Sequence, residues 1–160
     1  MVKRRLENTN KAKKTKEDLK EKEVNIKIYQ EAVRDLIDYV VEILIGRKVF
    51  NITIINTPDY ITDYFVIASV DNAITLQAIA NYFVNDFYNE IKSDILRELL
   101  KDVKIRFDGG SNSGWIVIDL YYFWIHLFLP DIRERYSLER LWSLRNALKN
   151  VDNISTNNEE

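Results

Sequence analysis

The sequence predicts a mixed α/β domain built on a single mixed β-sheet of about five strands covered by helices. Five short runs are rich in β-branched and aromatic residues, as strands are. Other segments repeat apolar residues at three- and four-residue spacing, as amphipathic helices do. The runs at 64–70, 115–120 and 123–129 leave little room for a polar face, which indicates strands buried under helices on both sides.

The composition is that of one globular domain. A chain of 160 residues, 46% apolar and 12% aromatic, can bury one sizeable core. Cysteine is absent, so no disulfide or thiolate zinc site can form, and with one histidine a metal site would consist of carboxylates. Because no run of about 18 apolar residues exists, we expect no membrane span and a protein that stays in the cytoplasm.

Charge is unevenly distributed along the chain. Residues 1–22 contain nine Lys or Arg against four acids, a net charge of +5, and since the whole chain carries −2 the remainder carries −7. We predict a basic, disordered tail over residues 1–24, because few apolar residues there can offset the entropy of ordering. This tail is either a solvated extension or an arm that contacts RNA phosphates.

The predicted domain, residues 25–150, begins with a helix and two strands. Apolar residues at three- and four-residue spacing predict a helix over residues 28–44, which Gly46 ends. Residues 49–55 and 64–70 read as strands separated by a turn around Pro58. The segment from Asp71 to about Lys101 then steps its apolar residues by four. It fits either one long helix or two helices with a bend at residues 92–94.

Three further strands and a helix complete the domain. Residues 103–107 predict a short strand, and the glycine-rich residues 108–114 predict a flexible loop. Two apolar strands follow, at residues 115–120 and 123–129, and we expect both to be central. Pro130 stops the second strand, and helical spacing then extends from Ile132 through Trp142. Residues 151–160 read as a polar C-terminal tail.

Three segments of this chain resemble the signature of a known family, the ribosomal silencing factors (RsfS, also called Iojap). One segment is residues 61–69, ITDYFVIAS, and another is the pair Asp108-Gly109. The third supplies the family's tryptophan, aspartate, histidine and helical positions: Trp115, Asp119, His126, Phe128, Arg133, Tyr136, Leu138, Glu139, Leu141 and Trp142. The segments occur in the family's order, and the resemblance covers roughly residues 28–143.

The resemblance implies a nucleotidyltransferase-like fold and a function that needs no catalytic residue, cofactor or metal. Members bind the large ribosomal subunit through its ribosomal protein number fourteen. They sterically block joining of the small subunit and so repress translation under nutrient limitation. We predict that Asp108, Trp115, Asp119, Tyr136 and Glu139 form the partner-binding surface. An acidic body would meet a basic ribosomal protein by charge complementarity.

Two other functions are compatible with the residues. The first is an RNA-binding or assembly module of the large subunit, in which the basic tail dominates. The second is a magnesium-dependent nucleotidyltransferase, with Asp63 and Asp119 as metal ligands. Active nucleotidyltransferases carry a Gly-Ser turn followed by two carboxylates one residue apart, whereas Ala68 precedes Ser69 here. We therefore predict that the protein is not an enzyme.

Several side chains have structural alternatives to an interaction role. His126, in an apolar strand, is expected to be partly buried with a ring nitrogen bonded to a backbone group or a carboxylate. Asp119 is either a structural hydrogen-bond partner or an exposed acid. Trp115 opens a strand after a loop, so we expect part of its ring to be exposed. Residues 121–123, Tyr-Tyr-Phe, depart from the family's turn; an exposed aromatic patch there would widen the ribosome contact or support a homodimer.

Overall fold

The structure is a computed structural model that describes residues 2–110 and 112–156. By its contacts the chain divides into two compact units, Met1–Tyr39 and Val40–Glu160. The elements follow in the order α1 (Val2–Gly46), β1 (Phe50–Asn56), β2 (Tyr64–Ser69), α2 (Ala73–Asn85), α3 (Phe87–Glu90), α4 (Asp94–Leu100), β3 (Arg106–Gly110), β4 (Trp115–Asp119), β5 (Trp124–Phe128), α5 (Pro130–Tyr136) and α6 (Leu138–Thr156).

The described strands form one mixed sheet in the order β1-β2-β5-β4-β3. β2 pairs with β5 in parallel, and the other neighbours are antiparallel. The predicted fold class, a single mixed sheet of about five strands with helices, is therefore confirmed. β2 and β5, predicted to be buried, have almost every residue buried, as expected for inner strands covered on both faces.

The two faces of the sheet carry different side chains because alternate residues of a strand point to opposite sides. On the first face a core forms from Phe65, Ile67, Phe128 and Trp142, and residues of α5 and α6 pack against it. On the second face six residues of β2, β4 and β5 have no exposed area: Val66, Ala68, Ile116, Ile118, Ile125 and Leu127.

Helix α1 begins at Val2, well before the predicted start at residue 28. The prediction of a disordered tail is therefore wrong for residues 2–24, which are helical. Side chains 11–31 are all exposed, so burial does not stabilise this segment. Lys, Glu and Ala favour helix intrinsically, and acids four residues ahead of lysines, as in Asp18–Lys22 and Glu23–Lys27, add weak support. The domain boundary at residue 24 stays a prediction.

The segment between β2 and β3 is divided into three helices: the break at residues 91–93 lies at the predicted bend, and a second break at Asp86 was not predicted. α2 and α3 end before residues 91–93, and α4 starts where the Ser93 hydroxyl accepts a hydrogen bond from Leu96 N at 3.3 Å. The Arg97 guanidinium bridges the bend by donating to the carbonyls of Tyr88, at 3.3 Å, and Ile91, at 3.2 Å. A side chain of α4 thus stabilises the connection between α3 and α4.

Strand β3 is shifted by three residues from the prediction and includes both glycines that were assigned to a loop. Gly110 pairs with Trp115 and Gly109 with Ile116. Gly109 has φ of 94°, and a Cβ there would collide with the backbone oxygen of Trp115. The glycine-rich composition, which predicted a loop, reflects a close approach between two strands.

The C-terminal helical region is divided at Ser137, which the sequence did not predict. Ser137 adopts a left-handed conformation with φ of 47°, and its N–H donates to the Arg133 carbonyl, which ends α5. α6 continues to Thr156, so the predicted polar tail at 151–160 is helical up to that residue; residues 157–160 lie outside the description. Among the helices of the described chain, none combines the length and apolarity needed to cross a bilayer.

We predict that Gly109→Ala lowers the free energy of unfolding by about 2 kcal/mol or more, because alanine is strained at this φ and clashes with the neighbouring strand. Gly110→Ala is the matched control, since a Cβ at Gly110 meets no atom within 4 Å and φ is ordinary. Urea unfolding followed by tryptophan fluorescence measures both. Equal midpoints for the two variants would contradict the assignment.

Candidate interaction surface

Trp115 lies at the centre of the predicted surface, on the first face of the sheet. Its ring stacks on Phe128 with centroids 4.9 Å apart and contacts Tyr136 of α5 at 4.8 Å. Its indole N–H donates to Nδ1 of His126 at 3.2 Å. The ring is partly buried, in agreement with the predicted partial exposure. Its polar group is directed inward, so the accessible part of Trp115 offers apolar area.

His126 is buried, with 4% of its surface exposed. The prediction of a bond to a backbone group or a carboxylate is wrong, because the partner of Nδ1 is the Trp115 indole. Since Nδ1 accepts, the proton of the neutral ring lies on Nε2, and within the described chain Nε2 has no hydrogen-bond partner. Burial disfavours the charged form and lowers the pKa of His126 from 6.5 to about 4. The side chain is therefore neutral at pH 7.

Asp108 and Asp119 lie on the same face as Trp115. The register pairs Asp108 with Val117, and Val117 lies between Trp115 and Asp119 on β4, so the alternation brings all four to one side. Asp108 Oδ1 accepts from Gly109 N and Asp119 Oδ1 from Tyr121 N, each at 2.8 Å. Asp119 therefore makes a structural hydrogen bond, which is one of its two alternatives, and its role as an acid for a basic partner stays a prediction.

Glu139 faces a different part of α5. Its Oε1 accepts from Arg133 Nε at 2.7 Å, and the two side chains are 31% and 14% exposed. Arg133 also donates to Asn51 O at 2.6 Å and to Ser69 Oγ at 2.9 Å. The structure thus brings four predicted residues, Asp108, Trp115, Asp119 and Tyr136, to one surface. Glu139 lies apart and orients the arginine that connects α5 to β1 and β2.

Arg133 was not predicted as a site residue. The available signal was its presence in the family-like motif. A motif does not show its hydrogen bonds to Ser69 and Asn51, which precede it by 64 and 82 positions in the chain. The aromatic side chains of Tyr60, Phe65 and Trp124 were missed for the same reason. They assemble on the first face only when the β1–β2 loop, β2 and β5 come together.

The predicted aromatic patch at residues 121–123 is smaller than expected. Tyr121 is 69% exposed, whereas Phe123 is fully buried and Tyr122 is half-buried. The Tyr122 hydroxyl donates to Leu99 O at 2.9 Å, and burial, with a smaller contribution from Tyr121, raises the pKa of Tyr122. The homodimer through this patch stays a prediction.

The two acids considered as metal ligands lie at the same end of the sheet. Asp63 immediately precedes β2, whose Phe65 is paired with Trp124, and Trp124 is paired with Asp119. Across the described residues, no group of three or more histidine or acidic side chains is placed to hold a metal ion.

The low pKa of His126 makes stability depend on pH. Between pH 6.5 and 4 the unfolded chain binds a proton that the folded chain excludes, so stability falls as pH falls through this window. Between pH 7 and pH 5 we expect the free energy of unfolding of the wild type to fall by about 2 kcal/mol more than that of His126→Gln. Urea unfolding at both pH values measures this, and the variant controls for titration of carboxylates. Equal losses would show that His126 does not titrate in this way.

Comparison with known proteins bears on the family of this chain. The model of the family described as ribosomal silencing factor during starvation, RsfS, matches residues 30–160. A Mus musculus protein named mitochondrial assembly of ribosomal large subunit protein 1 is 34% identical over 111 residues, which are 68% of this chain and 46% of that protein. Ribosomal silencing factor RsfS of Halalkalibacterium halodurans is 33% identical over 82 residues, 51% of this chain and 62% of that protein.

The chain therefore spans about half to three-fifths of the length of these two relatives. A Bacillus halodurans protein of known crystal structure is 25% identical to this chain, with a TM-score of 0.49. The match covers 68% of this chain and 94% of the Bacillus halodurans chain. The family model covers most of the chain and includes every residue of the surface around Trp115. This chain accordingly belongs to the RsfS family, the ribosomal silencing factors during starvation.

Proposed function

We propose that this protein is a cytoplasmic ribosomal silencing factor that binds the large ribosomal subunit through ribosomal protein number fourteen. In this proposal it occupies the surface needed by the small subunit and so represses translation under nutrient limitation. The observation that carries the proposal is the family match over residues 30–160, which contains all of the predicted contact residues. The name of the bacterial relative, ribosomal silencing factor, points to the same activity.

The surface around Trp115 has features suited to a protein partner. Tyr136 is 54% exposed and lies against the partly buried ring of Trp115, so the two form an apolar centre. Asp108 and Asp119 lie beside this centre on the same sheet face. Aromatic anchors supply much contact area at low entropic cost, and carboxylates select a basic partner such as a ribosomal protein. Steric occlusion requires tight binding and no bond-making step.

A second candidate is an RNA-binding or assembly role for the large subunit. The first part of α1 favours this role. It contains most of the basic region of the chain, and its side chains from residue 11 to residue 31 are exposed. A helical array of lysines contacts phosphates without reading base sequence. Residues 2–29 precede the segment matched by the family model, so this arm adds to the family's domain. The name of the mouse relative refers to assembly of the large subunit.

The contact surface is tested by the double variant Asp108→Lys with Tyr136→Ala. We expect its affinity for isolated large subunits to fall at least about tenfold, because it loses an aromatic anchor and repels a basic partner. Co-sedimentation with large subunits measures the affinity, and the yield of joined ribosomes measures occlusion.

The matched control for this test is Asp86→Lys, which makes the same change of charge at an exposed position after α2. Circular dichroism verifies that all variants are folded. If the double variant binds large subunits as tightly as the control, the proposed contact surface is wrong. If the wild type binds neither subunit, the silencing function itself is wrong.

Deletion of residues 2–22 separates the two candidates. Under the silencing proposal, binding to large subunits and occlusion survive the deletion, because the contact surface is on the sheet. Affinity for naked ribosomal RNA should collapse, and its dependence on salt should flatten, because nine basic residues are removed. Filter binding at several salt concentrations measures this. A deletion variant that no longer binds large subunits would instead favour the RNA-binding module.

A further inference from the structure

A cavity of about 720 Å³ lies between the first face of the sheet and helix α6. It is lined by six aromatic or imidazole rings, those of Tyr60, Phe65, Trp115, Trp124, His126 and Trp142. Among them are all three tryptophans of the sequence. The volume lies within the range of about 300–1,000 Å³ that is typical of small-molecule sites. Of these residues, the proposed ribosome contact uses Trp115 alone.

The rings that line the cavity hold one another in fixed orientations. Trp124 stacks on Phe65 with an interplanar angle of 10°. Tyr60 meets Phe65, Trp124 and Trp142 edge to face, with centroid distances of 5.8, 5.9 and 5.1 Å. Rings packed in this way offer flat faces and edges rather than flexible chains. A planar molecule can therefore bury most of its surface among them without a large entropic cost to the protein.

A cation lies at the edge of the cavity. The guanidinium carbon of Arg145, on α6, is 4.6 Å from the ring centroid of Trp142 and 5.7 Å from that of Tyr60. Within the described chain no carboxylate lies within ion-pair distance of Arg145, whereas the neighbouring Lys149 pairs with Asp59 at 3.1 Å. A half-buried guanidinium without an anionic partner is suited to a ligand that carries an acid.

The inner wall adds no charge to this arrangement. His126 is neutral at pH 7 because burial lowers its pKa to about 4, and its Nδ1 is already used by Trp115. The other sheet residues that line the cavity are aromatic apart from Val117, and none of them is charged. At the edge, Lys149 is paired with Asp59 and Asp152 contributes a carboxylate, so Arg145 is the cation to which the acid of a ligand can bind. The remainder of the binding energy comes from contacts with the aromatic and aliphatic side chains of the lining.

We propose that this cavity binds a planar aromatic molecule that carries one acidic group, with its rings among Tyr60, Trp124 and Trp142 and its acid on Arg145. The occupant is a small molecule rather than a side chain of a partner protein, because the cavity is of ligand size, its rings pack against one another, and the guanidinium of Arg145 lies at its edge. This site is additional to the ribosome contact and does not depend on it.

The test uses 1-anilinonaphthalene-8-sulfonate, a planar aromatic anion, as the probe of the full-length, folded protein. We expect one saturable site per chain, with enhanced probe emission and quenched tryptophan emission, since every tryptophan lines the cavity. Arg145→Gln should raise the dissociation constant of the probe about tenfold, as expected for loss of a charge-assisted hydrogen bond. N-phenyl-1-naphthylamine, which has the same rings without the sulfonate, should bind the wild type and Arg145→Gln equally.

Arg140→Gln is the matched control, because Arg140 is exposed on the same helix and does not line the cavity. It makes the same change of net charge and should leave the affinity for the sulfonate unchanged. Near-ultraviolet circular dichroism verifies that each variant keeps its tertiary packing. The proposal is overturned if the probe shows no single saturable site, if Arg145→Gln binds it as well as the wild type, or if Arg140→Gln weakens it equally. The cavity would then be left as a surface for a partner protein's side chain.

Discussion

The parallel pairing of β2 with β5 is the constraint on which the rest of the structure depends. Each paired residue of β2 lies 59 positions before its partner in β5, yet the two strands run side by side in register from Phe65–Trp124 to Ser69–Phe128. Both are apolar on both faces, so neither can lie at an exposed edge without a large loss of hydrophobic stabilisation. Between them the chain leaves the sheet through α2 to α4 and returns as the antiparallel strands β3 and β4, which extend the sheet on the other side of β5.

Once this centre is formed, the first face of the sheet is closed by contacts that are mostly aromatic. Trp142, Leu138 and Ile132 pack on the core around Phe65 and Phe128. Arg133 fixes the angle of α5 by reaching the backbone of Asn51 and the hydroxyl of Ser69 while Glu139 holds its guanidinium. A guanidinium suits this position because it can donate in several directions at once from a rigid plane. The ion pair therefore orients a helix that also carries the exposed Tyr136.

The same packing places the proposed contact surface and a ligand-sized cavity on one face of the sheet. The part of the face near β3 is flanked by carboxylates and by the partly exposed rings of Trp115 and Tyr136. Toward α6 the rings line an open cavity beside Arg145. Trp115 borders both regions, and its bond to His126 sets the plane of its ring. The strands of the sheet hold these side chains in place, and the occlusion proposed for this surface would depend on such fixed geometry rather than on a catalytic group.

The sequence by itself determined the fold class, the positions of β2, β4 and β5 within one residue at each end, and the family, because apolar runs and motif order are local properties. The tertiary structure alone decided that Gly109 and Gly110 belong to a strand, that Ser137 divides the last helices, and that Glu139 is bound to Arg133 rather than placed beside Trp115. It also decided that His126 pairs with an indole and that Phe123 is buried. These outcomes depend on partners that are distant in the chain or on a close approach between strands, and no local pattern contains them. The helical state of residues 2–24 is a different case, since the helix propensity of these residues is a local property of the sequence and the helix forms there although few apolar residues can be buried.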